Sequence, residues 1–460
     1  MILHPDLISE STSYTSTNLF YYLNILDKGL QLAFNSCNPS NLVKSQIKRD
    51  GNILYIKKYT LSLENKKVFI CGAGKATLDI AKALIPILGS NYIKGIINIP
   101  TGMNESKEQI PNTDIIEAGH PIPNNKTFEG AQKQIDLLKS LSTNDIVFVI
   151  ISGGASSLLE LPDPNISQVD IVQTYKQLLV SGLPIDKINI IRKYLSTIKG
   201  GKLLQKTKAQ IYSLLLSDVP GNDLSSIGSG PTIPDPNLQE KFQKIITNNP
   251  LEQTLPIAVR QFIFHSNKDQ QQLTQNISVT SHKVVNILLG SNENFLESLT
   301  HQFSDNNINT TICSSIFSGE AKNLGQFLHQ YTLFPYTSVP KCLIYGGESV
   351  VTIKNKHKTS SSRGGRNQEL ILSFIIKYLQ SKSLMNIIIL SLGTDGIDGM
   401  SNNAGAIFCS ELIRNTDLAL NDLSQMLSYH NSAQCLPLKY YIKTGQTGNN
   451  LGDILVLLTY

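Results

Sequence analysis

The chain has 460 residues, a formal net charge of +5, 41% hydrophobic residues and 16% charged residues. A single core seldom grows that far, so more than one domain is expected, each with an ordinary globular interior. The charge is small and dispersed, and the densest basic cluster (Lys354, Lys356, Lys358, Arg363, Arg366) is too short to imply DNA or RNA; no apolar run reaches the length of a membrane helix.

Six cysteines (Cys37, Cys71, Cys313, Cys342, Cys409, Cys435) form no C-x-x-C pair and no zinc-ligand spacing. They read as reduced thiols, which suggests a cytoplasmic protein. Met1 to Glu10 has no basic head and no long apolar run, unlike a signal peptide.

In chain order, residues 1 to about 20 are polar and rich in Ser and Thr, and are expected to form a loose arm. Tyr21 to Phe34 has the apolar spacing of a helix. Short β-rich runs then alternate with helical stretches: Lys67–Cys71, Lys94–Ile99, Asp145–Ile151 and Ile211–Leu216. Such alternation predicts βαβ units and a mainly parallel sheet. The polar, Gln-rich stretch Asn249–Gln275 marks the expected boundary, giving domains at 1–260 and 280–460. The second region is expected to start with a strand at Val284–Leu289 and a helix at Glu293–Phe303. Further strands are predicted at Lys341–Tyr345, Ser349–Ile353, Asn386–Leu392 and Ile454–Leu458. Asn355–Gly365 reads as a mobile hairpin tip.

In open α/β sheets, ligands bind beyond the carboxyl ends of the strands. Gly, Asp, Ser and Lys collect at those ends here. Val68–Cys71 runs into Gly72-Ala-Gly74-Lys75 and then a helix with an apolar face. Gly72 and Gly74 allow close backbone approach, and the helix start offers free N–H groups to an anion. Lys75 is placed in the first helical turn, where a positive side chain opposes the helix dipole and so hints at a functional role. Phe69 rules out a Walker loop, and Thr77 stands where a dinucleotide fingerprint needs its third glycine. The competing reading is a packing turn.

Asp145–Ile151 reads as a central buried strand ending in Ser152-Gly153-Gly154-Ala-Ser156, a cradle for phosphate or carboxylate. Farther on, Arg192, Ser196 and Lys199 share one helical face, either a ligand-binding or a solvated cationic face. Asp218 follows an apolar strand and suits Mg²⁺ ligation or proton transfer, or simply a turn before Pro220-Gly221. In the second region Tyr345-Gly-Gly-Glu348 lies between two strand-like runs, and Gly365-Arg366-Asn367 opens a helix with an arginine placed to clamp a phosphate. Gly393-Thr-Asp395-Gly-Ile-Asp398-Gly399 sets two carboxylates in a Gly-rich loop after a buried strand, able to face one cation. Thr444–Asn450 reads as another Gly/Thr ligand loop.

Taken in order, these stretches resemble the glycerate 2-kinase family, whose second domain is called MOFRL. The resemblance rests on Gly72–Lys75, Gly119–Pro123, Ser152–Gly154, Arg192-Lys with Lys199–Gly201, Ser217–Gly221, Gly228–Thr232, Gly346–Glu348, Gly365–Glu369, Gly393–Gly399 and Ala404-Gly405, from about Lys67 to the C-terminus. It implies a two-domain α/β enzyme: an N-terminal Rossmann-like three-layer α/β/α domain with a mainly parallel sheet, a smaller C-terminal α/β domain, and an active site in the cleft between them. It also implies ATP, Mg²⁺ and D-glycerate, with 2-phosphoglycerate as product. Asn124, Asn222 and Asn402 stand where that family commonly has Asp, and Gln446 and Asn449 where it has Pro and Thr.

On this reading Lys75, Arg366, Asp218 and Asp395 are the catalytic candidates, and Asp395, Asp398 and Asp218 the metal ligands. Gly72, Gly74, Ser152, Gly153, Gly154, Ser156, Arg192, Lys199, Glu348 and Asn367 are expected to bind substrate or nucleotide, with Arg192 on the glycerate carboxylate. No nucleic-acid or membrane partner is expected, and the chain should be a monomer or homodimer. The alternatives are an NAD-dependent hydroxypyruvate reductase and a non-catalytic ligand-binding protein derived from a kinase. The reductase would need an acidic ribose contact where Lys94 and Gly95 stand.

Overall fold

The computed structural model describes residues 2–13, 17–104, 108–249, 254–265, 284–333, 340–353, 363–381, 385–413 and 419–460. Lys354, Lys356 and Lys358, most of the hairpin tip expected at 355–365, and much of the boundary stretch 249–275 lie outside the described residues. The chain divides into two compact units. One comprises Pro39–Ser217 and Asn222–Leu289; the other comprises Met1–Asn38, Asp218–Gly221 and Gly290–Tyr460.

The first unit begins with a small antiparallel sheet, β1 (Ile47–Asp50), β2 (Ile53–Ile56) and β3 (Tyr59–Ser62). Its main sheet is built from β4 (Val68–Ala73), β5 (Tyr92–Pro100), β6 (Thr113–Ala118), β7 (Ile146–Ile151), β8 (Gln210–Leu216) and β9 (Val284–Gly290), in the order β6-β5-β4-β7-β8-β9. The pairs from β6 through β8 are all parallel. β4 and β7 are buried along their whole length, which explains their unbroken apolar sequence. Helices Thr77–Leu88 and Asn125–Ser140 carry the chain between parallel strands. The second starts with a capping box, Asn124 accepting from the Thr127 N–H at 3.1 Å. A mainly helical core, with Tyr194 stacked on Phe242 at 3.7 Å between ring centroids, forms a separate apolar cluster in this unit.

The second unit holds a mixed sheet of β10 (Asn309–Glu320), β11 (Lys341–Val350), β12 (Ile387–Gly393), β13 (Gly405–Cys409), β14 (Tyr441–Ile442) and β15 (Asp453–Thr459). The order is β10-β11-β15-β12-β13-β14, parallel only between β10 and β11.

Several expectations are corrected. The N-terminus is not a loose arm: helices Pro5–Ser13 and Thr17–Ser36 belong to the second unit. Leu3 and Leu7 are buried, Asp27 accepts from the Ile2 and Leu3 N–H groups at 2.7 and 2.8 Å, and Phe34 packs edge-on against Phe295. The apolar residues were present in the sequence, but too widely spaced among Ser and Thr to stand out. Val284–Leu289 does not open the second region, because it pairs at the edge of the parallel sheet as β9. The division therefore differs from 1–260 and 280–460 at the N-terminal helices, at Asp218–Gly221 and at β9.

Gly346-Gly347-Glu348 is not a loop between two strands. Lys341 to Val350 is one continuous strand whose glycines admit close neighbours: a Cβ at Gly346 would stand 1.5 Å from Asn292 Oδ1. Lys75 lies just before its helix, which begins at Thr77, and the argument from an unfavourable position in the dipole lapses. The helix carrying Arg192 stops at Leu195, so Ser196 and Lys199 share no helical face with it.

Candidate active site

The first unit brings Lys75, the Ser152–Ser156 loop, His120 and Arg192 together beyond the carboxyl ends of β4 and β7. The chain leaves β4 through Gly72 and Gly74, both at positive φ. A Cβ on Gly72 would meet Ile150 O at 2.0 Å, and one on Gly74 would meet Ser152 Oγ at 2.0 Å. The neighbouring strand and loop by themselves require glycine at both positions. Lys75 N–H donates to Gly153 O at 2.9 Å. Ser152 is buried, and its hydroxyl accepts from the Ala76 N–H at 3.1 Å, capping the helix Thr77–Leu88 from outside. Ser156 and Ser229 share a hydroxyl–hydroxyl bond of 2.7 Å.

Three side chains with positive or titratable heads act on one another here. His120 stands against Gly154, whose added Cβ would lie 2.9 Å from the His120 ring. Its outer side is exposed, yet burial of the inner side, with Lys75 and Arg192 nearby, lowers its pKa to about 4. Arg192 is 6% exposed, with its guanidinium 4.4 Å from the centroid of the Tyr175 ring. Its Nε has no hydrogen-bond partner, and no carboxylate pairs with it among the described residues. A buried guanidinium left this way is costly unless an anion arrives.

Lys199, expected to bind substrate, is fully buried and engaged elsewhere. Its Nζ pairs with Glu160 and donates to the Tyr175 hydroxyl at 2.6 Å. Burial, opposed by Glu160, lowers its pKa to about 8. Lys193 pairs with Asp235 at 3.2 Å.

The second unit gathers carboxylates around Arg366, the first residue of the helix Arg366–Ser381. Its Nε and Nη2 donate to Asp453 at 2.6 and 2.8 Å, and Nη1 pairs with Glu348 at 2.7 Å. Burial opposes the guanidinium charge, but Asp453 and Glu348 outweigh it and hold the pKa above the ordinary range. Glu348 titrates above the usual carboxylate range because of burial, which Arg366 offsets, and because of Asp453, Asp218 and Asp395. Asp218 accepts from Asn450 at 3.3 Å. Asp395 accepts from the Ile397 N–H at 3.1 Å.

Asp398 does not face that group as a ligand. It is 1% exposed, and its two oxygens accept from the Asn367 N–H (3.0 Å), the Gln368 N–H (2.8 Å) and Gln368 Nε2 (2.8 Å). It is a capping carboxylate for the helix Arg366–Ser381. Burial, offset by those hydrogen bonds, raises its pKa to about 6. Asn367, also expected at the ligand, is buried and takes the Ser391 hydroxyl at 2.5 Å. Among the described residues no three acidic, His or Cys side chains form a ready metal cage. The acidic excess around Arg366 nonetheless fits a cation held by one or two carboxylates and phosphate oxygens, as Mg²⁺ commonly is.

His120, Tyr175, Glu160 and Asp453 interact with candidate residues and were not placed in the candidate site from sequence. His120 sat within a noticed stretch, Gly119–Pro123, and Asp453 followed a Gly/Thr loop. Tyr175 and Glu160 carried no sequence signal, since only tertiary packing sets them against Arg192 and Lys199.

Residues 25–264 match a family described as a domain of unknown function (DUF4147), and residues 341–453 match the MOFRL family. A protein named glycerate 2-kinase from Pyrococcus horikoshii is 31% identical over 95% of this chain and 98% of its own length. A D-glycerate 2-kinase from Thermotoga maritima is 31% identical over 87% of this chain and 93% of its own. A relative from Agrobacterium vitis, 29% identical over 85% of this chain and 86% of its own, is provisionally named a hydroxypyruvate reductase. The crystal structure of the PH0495 protein from Pyrococcus horikoshii superposes with a TM-score of 0.78 at 30% identity, covering 95% of this chain and 98% of that one. That of a glycerate kinase from Thermotoga maritima also gives 0.78, at 28% identity, over 95% and 99%. Shared along nearly the whole length in both sequence and fold, this likeness places the chain in the glycerate 2-kinase family, with a C-terminal MOFRL domain.

Proposed function

We propose that the protein transfers the γ-phosphoryl group of ATP to the 2-hydroxyl of D-glycerate, forming 2-phosphoglycerate. The observation that carries this reading is the buried Arg192, without a carboxylate partner among the described residues and acting with Lys75 on His120. That is a site for a small anion, and a guanidinium suits a carboxylate. The family relationship supplies the reaction class.

Phosphoryl transfer needs mainly positioning and neutralisation of charge. In this reading Arg192 holds the glycerate carboxylate. Lys75, beside the Ser152–Ser156 loop, offsets negative charge on phosphoryl oxygens. Arg366, kept in one orientation by Asp453, is the second cation assigned to phosphoryl oxygens. Asp395 and Asp218 would hold Mg²⁺, which neutralises phosphate charge when bound. Glu348, half exposed and with a raised pKa, or Asp395 accepts the proton of the attacking hydroxyl. For the nicotinamide alternative, Thr77 still occupies the place of the third fingerprint glycine.

A coupled assay with ATP, Mg²⁺ and D-glycerate tests the proposal. ADP should form only when D-glycerate is present, and phosphorus NMR should show the 2-phospho ester. Folded protein that yields no ADP refutes the reading, and a 3-phospho product refutes the regiochemistry.

A further inference from the structure

Beneath the anion site lies a cluster that the chemistry above does not use. Glu160 and Lys199 are both fully buried and pair with each other. The Tyr175 hydroxyl lies between them, accepting from Lys199 at 2.6 Å and also bonding Glu160. It reaches Ser156 O at 3.1 Å, within the loop that follows β7. Tyr175 is itself fully buried, in the helix Gln168–Val180. Burial and the neighbouring Glu160 raise its pKa well above normal, so the hydroxyl stays protonated. One face of its ring carries Arg192 at 4.4 Å from the centroid.

Two buried charges of opposite sign are poor stabilisers compared with apolar residues of the same volume, so stability alone gives little reason to keep them. A specific tether gives a better one. The pair fixes the Tyr175 hydroxyl, the hydroxyl fixes the plane and position of the ring, and the ring holds a guanidinium whose Nε has no partner among the described residues. Without the ring, a long side chain of that kind keeps several rotamers, and choosing among them on binding weakens affinity. The same hydroxyl bonds the backbone at Ser156, so the loop and Arg192 are set by one group.

We propose that Tyr175, held by the Glu160–Lys199 pair, is a positioning residue that pre-orients Arg192 for the carboxylate of a small 2-hydroxy acid. This rests on the proposed function and deepens it: carboxylate selectivity is built in a layer of side chains that never touch substrate.

The test is steady-state kinetics on the full-length chain. Tyr175→Leu should raise KM for D-glycerate roughly 5- to 30-fold, the equivalent of a desolvated cation–π contact, and leave KM for ATP within about twofold. Tyr175→Phe, which keeps the ring but loses the hydroxyl held by the Glu160–Lys199 pair, should give an intermediate rise in KM for D-glycerate; a KM equal to wild type would overturn the part assigned to that pair. Should Tyr175→Leu not fold, fluorinated phenylalanines at position 175 keep the size and drain charge from the ring face. KM for D-glycerate should then climb with each added fluorine, relative to Tyr175→Phe. Unchanged KM for D-glycerate in folded Tyr175→Leu, or no trend across the fluorinated series, overturns the positioning role and leaves the kinase reading intact. Equal rises in both KM values also overturn it, since general loosening would do that. A wild-type protein without D-glycerate-dependent ADP formation removes the kinase reading and this inference with it.

Discussion

Arg366 and Asp453 are joined through two hydrogen bonds, Nε to Oδ2 at 2.6 Å and Nη2 to Oδ1 at 2.8 Å, which leave Nη1 for Glu348. A planar fork on a planar carboxylate fixes the guanidinium in a way a lysine cannot copy. Arg366→Lys is therefore expected to lower kcat by about 10²-fold or more, the usual cost of losing a preorganised charge at a transferring group. Asp453→Asn, which keeps the shape but can accept with only one oxygen, should lose a smaller part of that rate. Both are read from kcat at saturating ATP and D-glycerate, with thermal melting to confirm folding.

Asp398 and Asp395 are three positions apart and should answer differently to the same change. Asp398 spends both oxygens on the start of the helix Arg366–Ser381. Asp398→Asn turns an NH₂ group toward N–H donors and should cost about 1–3 kcal/mol of stability, with little effect on the Mg²⁺ dependence of turnover. Asp395→Asn should do the reverse, melting near wild type but needing more Mg²⁺ for half-maximal rate. Denaturant unfolding and Mg²⁺ titration of the rate separate the two.

His120 gives a pH dependence with a definite sign. Its folded pKa is about 4 against an ordinary 6.5, so between those values the unfolded chain binds more protons than the folded one. The contribution of this group to stability is therefore complete above pH 6.5 and is lost as pH falls toward 4. His120→Gln should remove that part of the slope. An anion placed beside Lys75 and Arg192 should raise the His120 pKa, so sulfate, whose charge is constant over this range, should bind more tightly at pH 5 than at pH 7. NMR titration of the His120 ring with and without sulfate measures this directly.

Gly74→Ala is expected to damage turnover although it removes no functional group. Its φ of 139° disfavours a side chain, and the new Cβ would fall 2.0 Å from Ser152 Oγ. The turn or the Ser152 loop has to shift, taking Lys75 with it, and a displacement on the order of 1 Å at such a site costs about 10²-fold in kcat/KM. The coupled assay reads this, and Gly102→Ala, also at positive φ but with nothing within 4 Å of its added Cβ, controls for backbone strain without a clash.

The sequence by itself determined the parallel sheet and the loops that follow its strands. β4 and β7 are continuous apolar runs because they are buried, and burial is written directly into composition. It also singled out Lys75, Ser152, Arg366 and Asp395, which stand in or beside Gly-rich turns, and Arg192 on a helix before Gly200-Gly201, as the residues to inspect. The reasons for individual residues were less legible. Gly72 and Gly74 looked like a ligand-approach turn, but what they admit is the neighbouring strand and loop.

Only the tertiary structure decided how charges are paired. Asp395 and Asp398 look alike in a Gly-rich loop, and only Asp398 meets the start of another helix. Arg192 and Lys199 look like two cations of one face; among the described residues the first has no carboxylate partner, and the second is neutralised by Glu160. Pairing depends on side chains far apart in sequence, such as Arg366 with Asp453 or Lys199 with Glu160. Electrostatic energy falls off with distance in space, and position along the chain carries no record of that distance.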